Sequence, residues 1–495
     1  MKLLMILVAI GVVAAGAQAT APADVIKVGP GESIQAAIDA ADPGDTIEVK
    51  KGVYLEKLEV GTDGLTLKGK GAIIDAELRG ACVTVWADDV TITGFRLVNG
   101  IMGIDASPMH SMHQIPKGDG GGAPIPDHAH RLRVIDNEVI GAALIGGILV
   151  WGESAVIEGN TVIGANGFGI HYRHYGDPGR TVIAKNTVRN TRYAHCAVSL
   201  PGASGPEPAG FGIDAAGPLL DIVSNRVEGN EFAGINVRVW SMPGAEGVPA
   251  ARILRNTASD NGCEADVLIP TGAALPDHEL MHQDGIHVED LAGLGTLVEK
   301  NVAHRNADDG IHLVGEAFEV IGNKTSWNND DGIEAAADDS RIHKNTATGN
   351  LDDGLRVTFP TSPPDGGDLV LVGNRVTNNS ACENSDDGIQ TEGPNHLIAG
   401  NKANENVQNG IIVTWGDRVT VRSNQANKNG QQGISNGSWM ADILFNKAKG
   451  NACGIGPDIA GKGTGKGVVD EWHGNQFDTG GRDVEDRCMD YLEYF

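Results

Sequence analysis

Apolar and polar residues alternate in runs of only three to five positions along most of the chain, as in Thr46-Ile47-Glu48-Val49, Leu65-Thr66-Leu67 and Val90-Thr91-Ile92-Thr93. Such alternation predicts short strands with one face in a core and the other toward water. Asn, Asp and Gly punctuate the runs, and these residues tolerate turn conformations. Helical spacing of apolar residues stands out only at the front, where Ser33 is placed to cap a helix with Ile34, Ala37, Ile38 and Ala41 on one face, ended by Pro43-Gly44-Asp45. That pattern predicts a helical lid over the first turn of a larger structure.

The strand pattern repeats. Asn recurs at 137, 160, 186, 225, 256, 301, 323, 345, 374, 401, 424 and 446, and a second Asn column follows at 230, 261, 306, 328, 350, 379, 406, 429 and 451. Asp308-Asp309-Gly310-Ile311, Asp330-Asp331-Gly332-Ile333 and Asp352-Asp353-Gly354-Leu355 are spaced by 22 residues, with Gln283-Asp284-Gly285-Ile286 and Asp386-Asp387-Gly388-Ile389 extending the series. A fixed period built from short strands predicts an all-β parallel β-helix solenoid, in which buried Asn side chains bond along the stack. The expected division is a leader over 1–19, the β-helix over 20–463, and a C-terminal cap over 464–495. Three insertions break the period: Ser107 to His130, Pro201 to Pro218, and Cys263 to His282. Long loops on a solenoid are expected to wall a binding groove.

Composition agrees with this reading, since 69 of 495 residues are Gly while aromatics make up 4%, which suits tight turns around a core of small aliphatic side chains. Cys82, Cys196, Cys263, Cys382, Cys453 and Cys488 are too dispersed to frame the fold, and their spacing does not pair them. Lys2, the apolar run Leu3 to Ala15 and Ala17-Gln18-Ala19 read as an export signal, so a secreted or periplasmic location is expected. A formal net charge of -27 argues against nucleic acid or an anionic membrane surface as a partner. A monomer is expected.

In each Gly-Ile-x-apolar segment, alternation points Ile inward and the next residue outward, which gives an outward column of His287, His312, Glu334, Arg356 and Gln390. Beside it run the turn acids from Asp284 to Asp387. Stacking carboxylates one strand apart costs about 1 kcal/mol per pair in water and more in a sheltered site. Either the pKa values rise or cations bind, and oxygen ligands of this density favour calcium. The alternative is that one Asp of each pair caps turn amides and the other is solvated.

The mature chain resembles the right-handed parallel β-helix superfamily of pectate lyases, and Gln283 to Val357 is similar to the calcium-dependent β-helix pectate lyases of the ninth polysaccharide-lyase family. That resemblance implies a right-handed solenoid, a polysaccharide substrate, and calcium held by Asp308, Asp309, Asp330, Asp331 and Glu334, with Arg356 of Gly354-Leu355-Arg356 as the base. Glu334 stands where that family has Asp, and Arg356 where it has Lys. A second register starts from Asp284 and puts His312 at a ligand position. The implied reaction is β-elimination on a uronate, in which a base removes a C5 proton acidified by the metal. Arg356 equally fits an ion pair with Glu334 or Asp353.

In His171-Tyr172-Arg173-His174-Tyr175-Gly176-Asp177-Pro178 the last four residues resemble the motif of alginate epimerases, except that Gly179 stands where they have His, and imidazole and phenol are the acid and base types those enzymes use. On that basis His171 and Tyr172, with Arg173, join His287, His312 and Arg356 as catalytic candidates, the alternative for the three being a loop or coil-surface role. His110, His113, His128, His130, His278 and His282, with Met109, Met112 and Met281, are candidates for zinc or copper. Trp151, Trp240 and Trp415 suit either stacking on sugars or packing at corners. The leading expectation is therefore a calcium-assisted polysaccharide lyase. A uronan epimerase or glycoside hydrolase on the same fold, a non-catalytic carbohydrate- or metal-binding β-helix, and a purely structural solenoid are the alternatives.

Overall fold

The computed structural model describes residues 23–107, 129–177, 179–192, 210–240, 251–262, 283–290, 292–359, 373–438, 441–452, 454–455 and 471–477. Each coil contributes one short strand to each of three long parallel sheets, which among the described residues contain 17, 15 and 13 strands. Successive coils pair in register, so a residue type repeated along the sequence becomes a column in space. One continuous core runs through the solenoid, built mainly of Ile, Val, Leu and Ala.

Helix Ile34–Asp39 covers the first coil and buries Ile34 and Ile38. Ser33 Oγ accepts from the backbone N–H of Ala36 at 3.1 Å, as the sequence predicts for an N-cap. The carboxylate of Glu56, on the next coil, accepts from the N–H groups of Ile34 and Gln35, so the free helix amides are satisfied.

Two Asn stacks hold the corners. Asn323 Oδ1 accepts from the N–H of Asn301 at 2.8 Å while its Nδ2 donates to Val298 O at 2.9 Å, and the same pattern repeats along the stack. Residues before these Asn, such as Arg255, Lys300 and Lys344, have φ near +55° and turn the chain into the next strand. A buried amide is favourable here because its donors and its oxygen all find partners.

The structure corrects the column count after residue 345. Asn379 continues the first stack by accepting from Asn345 N at 2.8 Å, and Asn384 continues the second by accepting from Asn350 N at 3.2 Å. Asn374 instead accepts from Ser340 N at a different corner. That coil is 34 residues long rather than 22, so counting at the shorter period shifts the assignment by one Asn.

The Gly of each acidic turn is explained by the second stack. A Cβ on Gly310 would lie 2.6 Å from both Asn328 Nδ2 and Gly332 O, and one on Gly332 would lie 2.5 Å from Gly354 O. No side chain fits between stacked backbones at that distance.

Two expected boundaries also change. The segment expected as insertion Pro201 to Pro218 contains strand Ile213–Ala216, which pairs with Phe168–His174 and Ile235–Val239 in the site-bearing sheet. Strand Glu471–His473 adds to the 17-stranded sheet and Gln476–Phe477 pairs with Lys447–Ala448 in a two-stranded sheet, so parallel pairing continues past residue 463 into the expected cap. The rest of that cap, and the loop residues 108–128, 201–209 and 263–282, lie outside the described residues.

Candidate functional site

The 15-stranded sheet carries the site, because register turns the outward position of each Gly-Ile-x strand into a single row. That row reads His171, Asp214, Asn236, His287, His312, Glu334, Arg356 and Gln390. The two constellations that the sequence kept apart, around His171 and around His312, therefore share one face. Asp214 and Asn236 between them were legible from Gly212-Ile213-Asp214 and Gly234-Ile235-Asn236. The Gly- and Pro-rich flank of Ile213–Ala216 made it look like loop.

Beside this row the acidic turns are built from two kinds of carboxylate. The second Asp is buried, and its Oδ1 accepts a backbone N–H from the next coil: Asp309 from Asp331 at 2.8 Å, Asp331 from Asp353 at 2.8 Å, and Asp353 from Asp387 at 2.9 Å. Oδ1 thus caps the next turn, while Oδ2 faces the row: that of Asp309 lies 3.7 Å from His312 Nδ1 and that of Asp331 lies 4.0 Å from Arg356 Nη1. The first Asp of each pair, as in Asp308 and Asp330, is half-buried.

Crowding of like charge shows in the titration of these groups. Burial and then the Asp284 charge push Asp308 up to about 6, and burial with Asp308 and Asp352 pushes Asp330 up to about 6. Burial and the charges of Asp331 and Asp387 raise Asp353 to about 10. The carboxylates of Asp308, Asp309 and Asp330 lie within 4.8 Å of one another, as do those of Asp330, Asp331 and Asp352. Such all-oxygen groups suit a hard divalent cation, which would relieve the repulsion.

Upstream the donors change. Asp284 Oδ2 lies 3.2 Å from Nδ1 of His287 and 3.6 Å from Nδ1 of His312. The other nitrogen of each ring faces an acid: His287 Nε2 is 3.4 Å from Glu289 Oε1, and His312 Nε2 is 3.6 Å from Glu334 Oε2. Burial opposes ionisation of Asp284, but its hydrogen bonds to His287 and His312 outweigh it and hold the carboxyl below the usual range. Burial likewise disfavours charge on His312, yet Asp284, Glu334 and Asp308 raise it to about 9.

At the upper end of the row, Asp214 is buried and bound on three sides. His171 Nδ1 is 3.0 Å from Oδ2, Arg173 Nη2 is 3.2 Å from Oδ2, and Asn236 Nδ2 donates to Oδ1 at 2.8 Å.

Two catalytic expectations meet physical objections. Tyr172 points into the core, its hydroxyl donating to Gly152 O at 2.9 Å and accepting from Thr181 at 2.7 Å, and burial pushes its pKa up. It does not reach a ligand on the sheet. Arg356 lies 3.7 Å from Glu334 and 4.0 Å from Asp331; burial disfavours its charge, but Glu334, Asp331 and Asp353 more than compensate. A guanidinium among acids keeps its proton, so this surrounding opposes the role of base.

His171 and His287 are fully buried and act on the surface only through their neighbours, whereas His312, Glu334 and Arg356 reach it. Trp151 is buried and stacks on Tyr175 at 5.3 Å, so it packs a corner. Trp240 and Trp415 are exposed. Of the loop histidines only His130 is described, its backbone N–H donating to Asp88; the other five and the three Met lie outside the described residues.

Fold and site define a parallel β-helix with an ionisable row on the outer face of one sheet. A family model described as right-handed beta helix region matches residues 127–315 and 278–382, which together span more than half of the chain. The chain belongs to that family. No curated protein matches the sequence. Among solved structures, it is similar to the A-module of mannuronan C-5 epimerase AlgE6 from Azotobacter vinelandii, with 15% identity over 90% of this chain and 94% of that one, at a TM-score of 0.39. It is also similar to a mutant of the periplasmic alginate epimerase AlgG, with 14% identity, 70% and 77% coverage and a TM-score of 0.41. Pectate lyase Pel9A matches with 12% identity, 64% and 77% coverage and a TM-score of 0.35. At these identities the likeness is one of fold.

Proposed function

We propose that the protein is a carbohydrate-active enzyme acting on an anionic polysaccharide, and that it performs metal-assisted β-elimination on uronate residues. The observation that carries this reading is the run His312, Glu334, Arg356 on adjacent strands beside the all-oxygen cluster of Asp308, Asp309 and Asp330. Calcium held by those three carboxylates would neutralise the uronate carboxylate and acidify its C5 proton.

The protein's own groups divide the remaining work. Arg356, held charged by its acidic neighbours, binds the sugar carboxylate. Glu334, between His312 at 3.6 Å and Arg356 at 3.7 Å, takes the C5 proton. The C5–H electron pair becomes the C4–C5 double bond, the C4–O bond breaks, and the leaving oxygen takes a proton from water. His287 and His171 position their carboxylate partners. The export-type leader supports secretion or a periplasmic location, and no described helix is long and apolar enough to cross a membrane.

The test is ultraviolet absorbance of the unsaturated product on pectate, alginate and glycosaminoglycans, with calcium and with chelator. Absence of new absorbance on every polymer would sink the lyase reading. An epimerase is the second reading, favoured by a second ionisable group on the same sheet, Arg173 ion-paired to Asp214 with His171 behind it, since returning a proton to the opposite sugar face needs a further set of polar groups. Solvent deuterium entering at C5 without chain cleavage would identify it.

A further inference from the structure

We propose that Asp284, His287 and His312 form a second metal site, separate in chemistry from the acidic turns, that takes a divalent transition ion such as Zn2+. Its residues come from one sequence device used twice: Asp284-Gly285-Ile286-His287 and Asp309-Gly310-Ile311-His312. The corresponding corners further on end in Glu334, Arg356 and Gln390. Parallel register stacks the two imidazoles on neighbouring strands.

Three observations favour an ion. The rings do not stack flat; their centroids are 5.0 Å apart with planes at 86°, and both Nδ1 atoms face the same oxygen of Asp284. A tetrahedral ion with bonds of ~2.0–2.1 Å requires ligand atoms about 3.3–3.4 Å apart. The observed Oδ2 to Nδ1 separations are 3.2 and 3.6 Å, so these two edges lie within a few tenths of an ångström of that value, and the three ligand atoms all lie within 4.8 Å of one another.

The outer groups are also in place. A metal-bound imidazole commonly directs its other N–H at a carboxylate, which fixes the tautomer and strengthens the ligand. Glu289 occupies that place for His287 and Glu334 for His312, at 3.4 and 3.6 Å. The fourth position is left to water, because Asp309 Oδ2, 3.7 Å from His312 Nδ1, belongs to the all-oxygen cluster. Two imidazoles and one carboxylate select a borderline ion over calcium, which prefers oxygen throughout.

This site does not rest on the lyase reading, because its occupancy is measured without substrate. The full chain, stripped with chelator, is equilibrated with Zn2+ in excess Ca2+ and desalted. Retention of one zinc is expected, with X-ray absorption of the loaded parent showing two imidazole scatterers, and with Co2+ giving the visible bands of a four-coordinate nitrogen and oxygen site. His287→Gln and His312→Gln lose at least ten-fold in affinity, Glu289→Gln loses roughly 10–100-fold, and Asp330→Asn binds as the parent does. No retained zinc, an all-oxygen shell in the parent, or undiminished binding in both histidine variants overturns the proposal. The spectrum of the parent reads the ligands even if a variant fails to fold.

Discussion

Arg356 Nε lies 3.7 Å from Glu334 Oε1, and this pairing exchanges the roles that the sequence suggests for the two residues. A guanidinium among Glu334, Asp331 and Asp353 stays charged, so it serves as an anion receptor while Glu334 is the proton acceptor. Glu334→Gln should lower kcat by about 10²–10⁴, whereas Arg356→Lys should raise KM and retain turnover. Steady-state kinetics on the responsive polymer decide this. Full activity in Glu334→Gln with loss in Arg356→Ala would return the base role to Arg356.

The acidic turns should couple stability to calcium. A cation bound only to the folded state stabilises by about 2.7 kcal/mol at one hundred times its Kd. Thermal unfolding with and without Ca2+ should therefore show a higher Tm with the ion. In Asp330→Asn the shift should shrink, and the Tm in chelator should match or exceed the parent's, because one like charge leaves a crowded group. A lower Tm in chelator would mean that Asp330 is a turn residue and not a ligand.

Asp214 gives a pH signature separate from the metal sites. Burial resists its ionisation, but Arg173 and the hydrogen bond from His171 outweigh that and hold its carboxyl below the ordinary range, with Arg238 adding to the effect. For a depressed carboxylate the stabilisation is complete above the unfolded value of about 3.9 and disappears as pH falls through the lower folded value. The Tm gap between the parent and Asp214→Asn should be constant near neutrality and close below about pH 4. A gap that widens on acidification would contradict this assignment.

The Asn stack should be the most sensitive structural element outside the apolar core. Asn323→Ala strands the N–H of Asn301 and the carbonyl of Val298, each buried. Every group left unpaired costs about 1–3 kcal/mol, so denaturant unfolding should register a loss far larger than at a surface position. A change within about 0.5 kcal/mol, the usual range for surface substitutions, would show that water replaces the amide.

Trp415, at the end of strand Ile411–Trp415, is exposed and meets Phe359 edge-on at 5.1 Å. Its free ring face suits stacking on a sugar. Trp415→Ala should raise KM with kcat and Tm nearly unchanged; an unchanged KM would assign the ring to packing alone.

Much of this protein was written in one dimension. Periodicity dictated the parallel coils, and alternation dictated which residues face out, because strand side chains have period two and register aligns equivalent positions. The lid helix followed from Ser33 and its apolar face. Only the tertiary structure decided the rest. It joined His171 to His312 through Asp214, since coil lengths vary and separation in sequence does not report separation along the stack. It moved Asn379 into the first stack and surrounded Arg356 with acids. Hydrogen-bond partners and charge environments arise between coils, and the local pattern of any one coil does not contain them.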